Sequence, residues 1–399
     1  MQKLFFILST LFLFINNIIH AQSEHNRAII NAEESVVGAS RTELYLPILQ
    51  NKRVGIIANQ TSIFSDTHLV DTLLKLEIDI KAIFTPEHGF RGSADEGTFI
   101  ANSIDEKTNL PIISLYGSNK KPNKEQLKDI DILLFDLQDV GTRFYTYIST
   151  MTYIMEAAAE NDIPVIVLDR PNPNGFYIDG PIMEDENTSF VGLHHIPIVY
   201  GMTIGEYALM VNGEYWLNDS LQCDLTIIPL GNYKREAIYK LPVKPSPNLP
   251  NWQSVYLYPS LCLFEGTIVS VGRGTETPFQ VYGHPLMEGE YSFIPKQKKG
   301  KRAPLHCDKT CHGENIYNFA ENYKNNKAEL KLNWLINAYN QLHEKDNFFN
   351  NFFVKLSGTK DLQNQIIEGV TEDDIRHSWQ AGIDDFKTTR DKYLIYDDF

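Results

Sequence analysis

Residues 130–169 read IDILLFDLQDVGTRFYTYISTMTYIMEAAAENDIPVIVLD, and this stretch decides the fold. It opens with the apolar run IDILLFDL (130–137) and closes with IPVIVLD (163–169), and neither run alternates polar with apolar residues. Such continuous runs are typical of strands that are buried on both faces. Between them, residues 143–161 form a long, mostly apolar segment with helical character. The stretch therefore predicts a strand, a helix and a second, parallel strand.

The same alternation continues on both sides of this stretch. Two more segments predict helices, HLVDTLLKL (68–76) and TIGEYALMVNGEYW (203–216), and the second opens with Thr203 and Glu206 at the spacing of a capping box. Further apolar runs predict strands at RVGIIAN (53–59), IDIKAIF (78–84), LPIISLYG (110–117) and CDLTIIPL (223–230). This order predicts a Rossmann-like α/β domain built on a doubly wound parallel sheet.

The character of the sequence changes near Pro245. The segment KPSPNLPNWQSVYLYPS (244–260) is rich in proline and aromatic residues, which predicts a connection or the wall of a cleft. After it comes a region that is first β-like and then helical. We therefore expect a Rossmann-like domain over residues 22–260 and a smaller α+β domain over residues 261–399, with the active-site cleft between them.

The first residues, MQKLFFILSTLFLFINNIIHAQS, contain one lysine, an apolar run to about Ile19 and a small residue at Ala21. This pattern is typical of a secretory signal peptide over residues 1–21, so we expect an exported protein that is periplasmic or secreted. No other stretch is long and apolar enough to cross a bilayer, so a membrane-spanning protein is not expected.

Charge and cysteine content limit the partners. The formal net charge of −15 argues against nucleic acid as a partner, because phosphate binding needs clustered Lys and Arg. A cleft can still carry local arginines for an anionic substrate.

The run HCDKTCH (306–312) has the spacing of metal ligands, but no second cluster completes a ligand set. Its cysteines are expected to be structural thiols or to form a local disulfide. The run VGRGTETP (271–278) lacks the third glycine and the downstream acid of a dinucleotide site. No metal or cofactor is predicted.

Polar residues follow the predicted strands at the ends where a parallel sheet binds its ligands. Each strand exit is polar and most contain Gly or Pro, whereas the connections at the opposite end are ordinary surface sequence. The exits read NQT (59–61), TPEHGFRG (85–92), YGSNKKP (116–122), DLQDVGTRFYTY (136–147) and DRPNPNG (169–175). Because these ends meet at one rim of the sheet, the sequence predicts a single site there.

Two groups of residues at this rim suit catalysis. Glu87, which follows Pro86 beside apolar neighbours, is a candidate general acid with a raised pKa, or else a glutamate in a first helical turn. Asp139 and Arg143 form either a binding cluster or a capping and ion-pair cluster at the start of the long helix. A cleft rich in carboxylates, with Arg, Tyr and Asn, suits the acid-catalysed hydrolysis of a sugar.

Long runs of the sequence resemble the exo-acting β-N-acetylmuramidases of the NamZ type. The runs are FTPEHGFRG (84–92), DLQDVGTRFYTYISTM (136–151), LDRPNPNGFYIDGP (168–181), YGMTIGEYA (200–208), KPSPNLP (244–250), LFEGTIVSVGRGTETPF (263–279), CHG (311–313) and IRHSWQAGIDDFKTTRDKYLIY (375–396). The resemblance covers nearly all of the chain after the signal peptide. It implies a hydrolase that releases N-acetylmuramic acid from the non-reducing end of peptidoglycan fragments, saccharides of the MurNAc-GlcNAc type.

The resemblance also implies residue roles. Glu87 matches the acid of the family's PEHG run, and Asp139 and Arg143 match its QDVG-x-RFYTY run. One departure is the run ADEGT (94–98), where the family reads close to ADAGE, so Asp95 keeps its place whereas the second acid has moved to Glu96.

We therefore expect Glu87 to protonate the glycosidic oxygen, with Asp95 or Asp139 as base or nucleophile, or with attack by the substrate's own 2-acetamido oxygen. The lactyl carboxylate of the sugar needs a cation, and Arg143 and Arg273 are the candidates. The other predicted substrate-binding residues are Asn59, His88, Arg91, Tyr145, Asn172, Asn248 and Glu265. Two other functions stay open: an NAD- or nucleotide-using enzyme and a non-catalytic protein that binds cell-wall sugars.

Overall fold

A computed structural model of the protein describes residues 35–87, 89–91, 102–298, 302–323, 326–342 and 347–399. The predicted signal peptide, His88, Asp95 and Glu96 lie outside these ranges, so what was said of them stays a prediction. Among the described residues, no helix combines the length and the apolar character needed to span a bilayer.

The first domain is built on a seven-stranded sheet and a two-stranded hairpin. Its strands are β1 (Val54–Ala58), β2 (Ile63–Phe64), β3 (Thr67–His68), β4 (Ile80–Thr85), β5 (Ser103–Ile104), β6 (Pro111–Ser114), β7 (Ile132–Asp136), β8 (Val165–Leu168) and β9 (Leu225–Ile228). The sheet order is β5-β6-β4-β1-β7-β8-β9, and only β5 pairs antiparallel to its neighbour in the sheet. The hairpin is β2-β3.

The six parallel strands, counted along the chain, lie in the order 3-2-1-4-5-6 of the Rossmann fold. Each coincides with one of the six apolar runs, so the predicted fold class is confirmed. Strands β1, β7 and β8 are buried at every residue because helices cover both faces of the sheet, which explains why their sequences do not alternate.

The helices of this domain are α1 (Thr42–Leu49), α2 (Leu69–Lys75), α3 (Lys124–Leu127), α4 (Tyr147–Ala159), α5 (Ile204–Gly213) and α6 (Trp252–Leu261). Side chains of α1 and α2 share one apolar core with the sheet, and those of α4 and α5 share the other. The predicted capping box begins α5: the Thr203 hydroxyl accepts from the Glu206 amide at 3.2 Å, and the Glu206 carboxylate accepts from the Thr203 amide at 2.9 Å.

The second domain contains a three-stranded antiparallel sheet and a set of helices, as predicted. The strands are β10 (Val281–His284), β11 (Tyr291–Phe293) and β12 (Cys311–Asn315), in the order β10-β12-β11. The helices are α7 (Tyr317–Glu321), α8 (Leu332–Gln341), α9 (Asn351–Ser357), α10 (Asp361–Glu368), α11 (Glu372–Ser378) and α12 (Gln380–Arg390). Short 3-10 turns lie at Gly38–Ser40, Asp185–Asn187, Asn218–Ser220, Cys262–Gly266 and Asp391–Tyr393.

The segment 244–260 differs in part from its prediction as a connection. Its second half is helix α6, which continues through Pro259. The helix begins with a capping box in which the Asn251 side chain accepts from the Ser254 amide at 2.9 Å. Pro259 lies near the end of α6, and the helix continues for only two residues beyond it. The prediction overweighted the prolines and missed the cap.

Candidate active site

A pocket opens at the rim where the strand order reverses between β1 and β7. Ligands of open α/β sheets bind at this switch point. The lining residues are Glu87, Phe144, Tyr145, Thr146, Tyr147, Ser246, Asn248, Leu249, Tyr258, Arg273 and Phe279. Both domains contribute to its lining, because Arg273 and Phe279 come from beyond α6.

Glu87 lies in the pocket wall, two residues after β4 ends at Thr85. The turn that carries it is closed by the Gly89 amide, which donates to the Pro86 carbonyl at 3.3 Å. Tyr147, the first residue of α4, is its neighbour: burial raises the pKa of Tyr147 well above its usual range, and the charge of Glu87 raises it further. The structure therefore brings the candidate acid against the start of the long helix.

Two tyrosines and one asparagine form a hydrogen-bonded row along the pocket wall. The Asn59 amide donates to the Tyr147 hydroxyl at 2.8 Å, and the Tyr145 hydroxyl donates to the Pro245 carbonyl at 2.9 Å. The two tyrosine rings meet edge to face with centroids 4.8 Å apart. The predicted residues Asn59 and Tyr145 therefore lie at the site, but Asn59 is fully buried and reaches the pocket only through Tyr147.

The proline-rich segment closes another side of the pocket. Its Pro245 carbonyl also accepts from the Gln60 side chain at 3.1 Å, and the Leu249 amide donates to the Ser246 carbonyl at 3.1 Å. Asn248, predicted to bind substrate, lies in this tight turn and lines the pocket. The expectation of a cleft wall thus holds for the first half of the segment, and Tyr258 in the second half also lines the pocket.

Arg273 brings a cation into the pocket from the second domain. Its Nε and Nη2 atoms donate to the two carboxylate oxygens of Glu265 at 2.5 and 2.6 Å, and its guanidinium lies 5.1 Å from the centre of the Phe279 ring. Gly272 and Gly274 flank it with φ of 77° and 85°, conformations that favour glycine. These glycines shape the turn that presents Arg273; residues 271–280 lead to β10 and no helix begins among them, unlike a dinucleotide-binding turn.

Asp139 does not line the pocket but lies inside the protein, in the loop after β7. Only 3% of it is exposed, and burial raises the pKa of its carboxyl to about 6. Oδ2 accepts from the Gly141 amide at 2.6 Å and from the Tyr200 hydroxyl, whereas Oδ1 has no hydrogen-bond partner within the described chain. Burial is the main cause of the raised pKa of Tyr145 and Tyr147, and the charge of Asp139 raises both pKa values further. Asp139 therefore lies close behind the pocket wall.

Arg143 was predicted to bind a substrate carboxylate, but its position in the structure contradicts this prediction. The side chain is fully buried, and its Nη1 and Nη2 atoms donate to backbone carbonyl groups of both domains. Burial lowers the pKa of the guanidinium to about 9. Arg143 joins two regions of the chain and does not face the pocket.

Two further predicted residues also have structural positions outside the pocket. The Arg91 guanidinium binds both carboxylate oxygens of Asp105 at 2.8 Å, and this pair, with Asp71, ties the Glu87 turn to the edge of the sheet. The Asn172 amide donates to the Met202 carbonyl at 2.7 Å, and its oxygen accepts from the Asn174 amide at 2.8 Å. Both side chains therefore shape the surrounding loops.

Four aromatic lining residues were missed by the sequence reasoning: Phe144, Tyr147, Tyr258 and Phe279. Tyr147 belongs to the RFYTY run, and its place at the start of a helix after a strand exit was the signal that could have found it. The four cysteines are free thiols, and the part of the chain that the structure describes contains no group of three or more His, Cys, Asp or Glu side chains placed to hold a metal ion.

The arrangement combines a carboxyl group, an oriented guanidinium and tyrosine rings in one polar pocket. Aromatic walls cover the apolar faces of sugars, and a carboxyl group can transfer a proton to a glycosidic oxygen. The fold and the site define a two-domain α/β glycoside hydrolase.

Comparison with known proteins gives the family. The family models described as exo-β-N-acetylmuramidase NamZ, N-terminal and C-terminal, match residues 54–253 and 256–396. The chain is 41% identical over 380 residues to the peptidoglycan β-N-acetylmuramidase NamZ of Bacillus subtilis (strain 168), covering 88% of this chain and 89% of that protein. The chain belongs to the NamZ family, which confirms the resemblance inferred from its motifs.

Two solved structures are also similar, both DUF1343 family proteins of Bacteroides fragilis NCTC 9343. The first has a TM-score of 0.85 at 48% sequence identity, over 92% of this chain and 100% of its own. The second has a TM-score of 0.76 at 30% identity, over 91% of this chain and 99% of its own. The two-domain architecture is therefore shared with proteins whose structures are known.

Proposed function

We propose that this protein is an exported exo-β-N-acetylmuramidase that releases N-acetylmuramic acid from the non-reducing end of peptidoglycan fragments, with Glu87 as general acid. The activity of the Bacillus subtilis relative and membership of the NamZ family support the reaction. The observation that carries the assignment of residues is that Glu87 and Arg273, from different domains, line one pocket.

In the proposed reaction, Glu87 gives its proton to the glycosidic oxygen while the bond to the anomeric carbon opens towards an oxocarbenium-like state. The departing sugar leaves as an alcohol, and water finally supplies the hydroxyl group of the released N-acetylmuramic acid. The second group is Asp95, Asp139 or the 2-acetamido oxygen of the substrate. Of these, Asp139 has the least support as a nucleophile because its carboxyl is buried behind the pocket wall.

Arg273 is the proposed partner of the lactyl carboxylate. The bidentate pair with Glu265 orients the guanidinium, and a planar guanidinium binds carboxylates with two parallel hydrogen bonds. Hydrogen bonds to charged groups contribute about 1.5–3 kcal/mol each, so loss of this contact weakens recognition by about 10- to 150-fold.

The general acid is tested with two substrates that differ in leaving group. The p-nitrophenyl N-acetylmuramide has a leaving group that departs with little protonation, whereas the disaccharide MurNAc-GlcNAc requires it. We expect Glu87→Gln to lower kcat on the disaccharide by about 10²–10⁴-fold and on the nitrophenyl glycoside much less. The control is Glu125→Gln, which changes an exposed glutamate of α3. Near-normal disaccharide turnover by Glu87→Gln would refute the acid, whereas binding without release of sugar by the wild type would favour a cell-wall-binding protein.

The lactyl contact is tested by comparing N-acetylmuramides with N-acetylglucosaminides, which lack the lactyl group. We expect a strong preference for the muramide that is largely lost in Arg273→Met. If the wild type and Arg273→Met prefer the muramide equally, Arg273 does not bind the lactyl carboxylate.

Export is tested separately by N-terminal sequencing of protein recovered outside the cytoplasm. We expect Gln22 as the first residue, and an intact Met1 would contradict export.

A further inference from the structure

A basic segment follows β11 in the second domain of an otherwise acidic protein. The run KQKKGKR (296–302) contains five Lys or Arg residues among seven, although the formal net charge of the chain is −15. The structure describes Lys296, Lys298 and Arg302 of this run, and all three are exposed. Such a local excess of positive charge attracts anions even where the whole protein repels them.

The basic segment packs against the turn that carries Arg273 into the pocket. The Lys296 amide donates to the carbonyl of Gly274, the residue after Arg273, at 3.2 Å. Pro304, two residues after Arg302, also contacts this turn, since a Cβ added to Gly274 would lie 2.7 Å from the Pro304 ring. The segment therefore lies beside the part of the pocket wall that Arg273 forms.

The acids that neighbour these cations hold them only weakly. The Lys296 ammonium lies 2.8 Å from the Asp308 carboxylate, and that of Lys298 lies 3.3 Å from Glu276, with both carboxylates exposed. Exposed ion pairs contribute little, because water competes for both charges. Arg302 forms no ion pair with another residue that the structure describes. A carboxylate of a ligand can therefore join or replace these acids at little cost.

The proposed substrate has a second anion to offer. When the sugar at the non-reducing end occupies the pocket, the rest of the fragment extends out of the pocket opening. MurNAc alternates with GlcNAc in peptidoglycan, so the third sugar of a fragment carries another lactyl carboxylate. An acidic protein repels such a polyanion unless cations stand along its path.

We propose that Lys296, Lys298 and Arg302 bind the lactyl carboxylate of the third sugar, outside the pocket. The proposal rests on the proposed function and deepens it: the favoured substrate is a glycan fragment of at least three sugars with N-acetylmuramic acid in the third position. Arg273 then contacts the lactyl group of the first sugar, and the basic segment contacts the next one.

The test compares two trisaccharides that differ only in the lactyl group of the third sugar, MurNAc-GlcNAc-MurNAc and MurNAc-GlcNAc-GlcNAc. We expect the wild type to have a kcat/KM about 3- to 10-fold higher for the first, as befits a few exposed pairs. The preference should disappear in about 0.5 M NaCl, because salt screens exposed charges. Both substrates are measured on one protein, so the ratio does not depend on the fraction that is folded.

Two variants locate the preference. Replacing all three cations of the basic segment with glutamine should bring the ratio close to one. The matched control removes the same charge from exposed lysines that lie shortly before β1, β4 and β7, at the edge of the sheet opposite the pocket, and should keep the preference. The control substitutions are Lys52→Gln, Lys75→Gln and Lys128→Gln.

Equal use of the two trisaccharides by the wild type at low salt overturns the proposal, and so does a preference that survives in the variant of the basic segment. If the two sugars are used equally and this variant instead loses binding to phosphatidylglycerol vesicles, the segment belongs to a membrane contact.

Failure of the proposed function gives a different result. If the wild type hydrolyses neither trisaccharide, the proposed activity is wrong, and calorimetry of the same two sugars decides about the basic segment. A Kd about 3- to 10-fold lower for MurNAc-GlcNAc-MurNAc, lost in the variant, supports the proposal, whereas equal Kd values overturn it.

Discussion

Arg143→Met removes a buried cation that joins four backbone carbonyl groups, and its effect on stability can be worked out from the structure. The guanidinium donates to the carbonyls of Pro181 and Ile196 at 2.8 and 2.5 Å in the first domain. It donates to those of Leu356 and Ser357 at 3.1 and 2.6 Å in the second. Hydrogen bonds from a charged donor contribute about 1.5–3 kcal/mol each, or roughly 6–12 kcal/mol for four.

Burial of the charge opposes these bonds. The pKa of Arg143 falls from 12.5 to about 9, which corresponds to about 5 kcal/mol of preference against the charged form. Methionine fills much of the space but leaves buried carbonyls without a donor. We therefore expect the free energy of unfolding to fall by about 3–5 kcal/mol, within the range seen when a buried charge loses its partners. In a chain of this size, Tm should fall by about 5–10 °C.

The assay pairs thermal unfolding with steady-state kinetics on the p-nitrophenyl N-acetylmuramide below the transition. Arg143→Met should lower Tm and leave KM unchanged, because Arg143 does not face the pocket. Arg273→Met is the matched control and should show the opposite pattern, with a raised KM and a small change in Tm. If Arg143→Met raises KM about tenfold at unchanged Tm, its assignment as a structural cation is wrong.

Three further results are expected. Glu265→Gln weakens the pair that orients Arg273, so KM for the muramide rises several-fold at nearly constant kcat; an unchanged KM contradicts the orienting role. Gly274→Ala places a Cβ 2.5 Å from the Lys296 carbonyl at a φ of 85° and costs about 1–3 kcal/mol, measured by urea unfolding; wild-type stability would contradict this. Burial raises the pKa of Asp139 from 3.8 to about 6, so its contribution to stability is complete below pH 4 and is lost as the pH rises through 6, about 3 kcal/mol in all. Asp139→Asn should flatten this part of the pH dependence of unfolding, and an unaltered curve would count against a buried, titrating carboxyl.

Much of the first domain could be predicted because its strands are buried on both faces. Continuous apolar runs of seven or eight residues marked all six parallel strands, and the polar exits marked the rim where the pocket lies. The capping box at Thr203 located a helix start, because such caps depend on residues only three positions apart. Strands and helix starts could be predicted because they depend on residues that are close together in the sequence.

The orientation of side chains after the strands could not be predicted in this way. Arg143 follows a strand exit as Tyr147 does, yet it turns inward because its acceptors at Leu356 and Ser357 lie more than 200 residues away in the chain. Asn172 likewise bonds to backbone atoms brought close by folding. Arg273 does line the pocket wall, and its flanking glycines form the turn that presents it, but its role towards a substrate stays a prediction.

Helix α6 links the two domains and also contributes to the pocket. The two family models meet between residues 253 and 256, inside this helix, and Tyr258 on its next turn lines the pocket. Each residue advances a helix by about 100°, so one inserted residue at this seam would swing Tyr258 out of the wall and rotate everything beyond it. The length of α6 therefore fixes how the chain beyond it meets the pocket, so an insertion here would disturb the site more than a substitution on the helix surface.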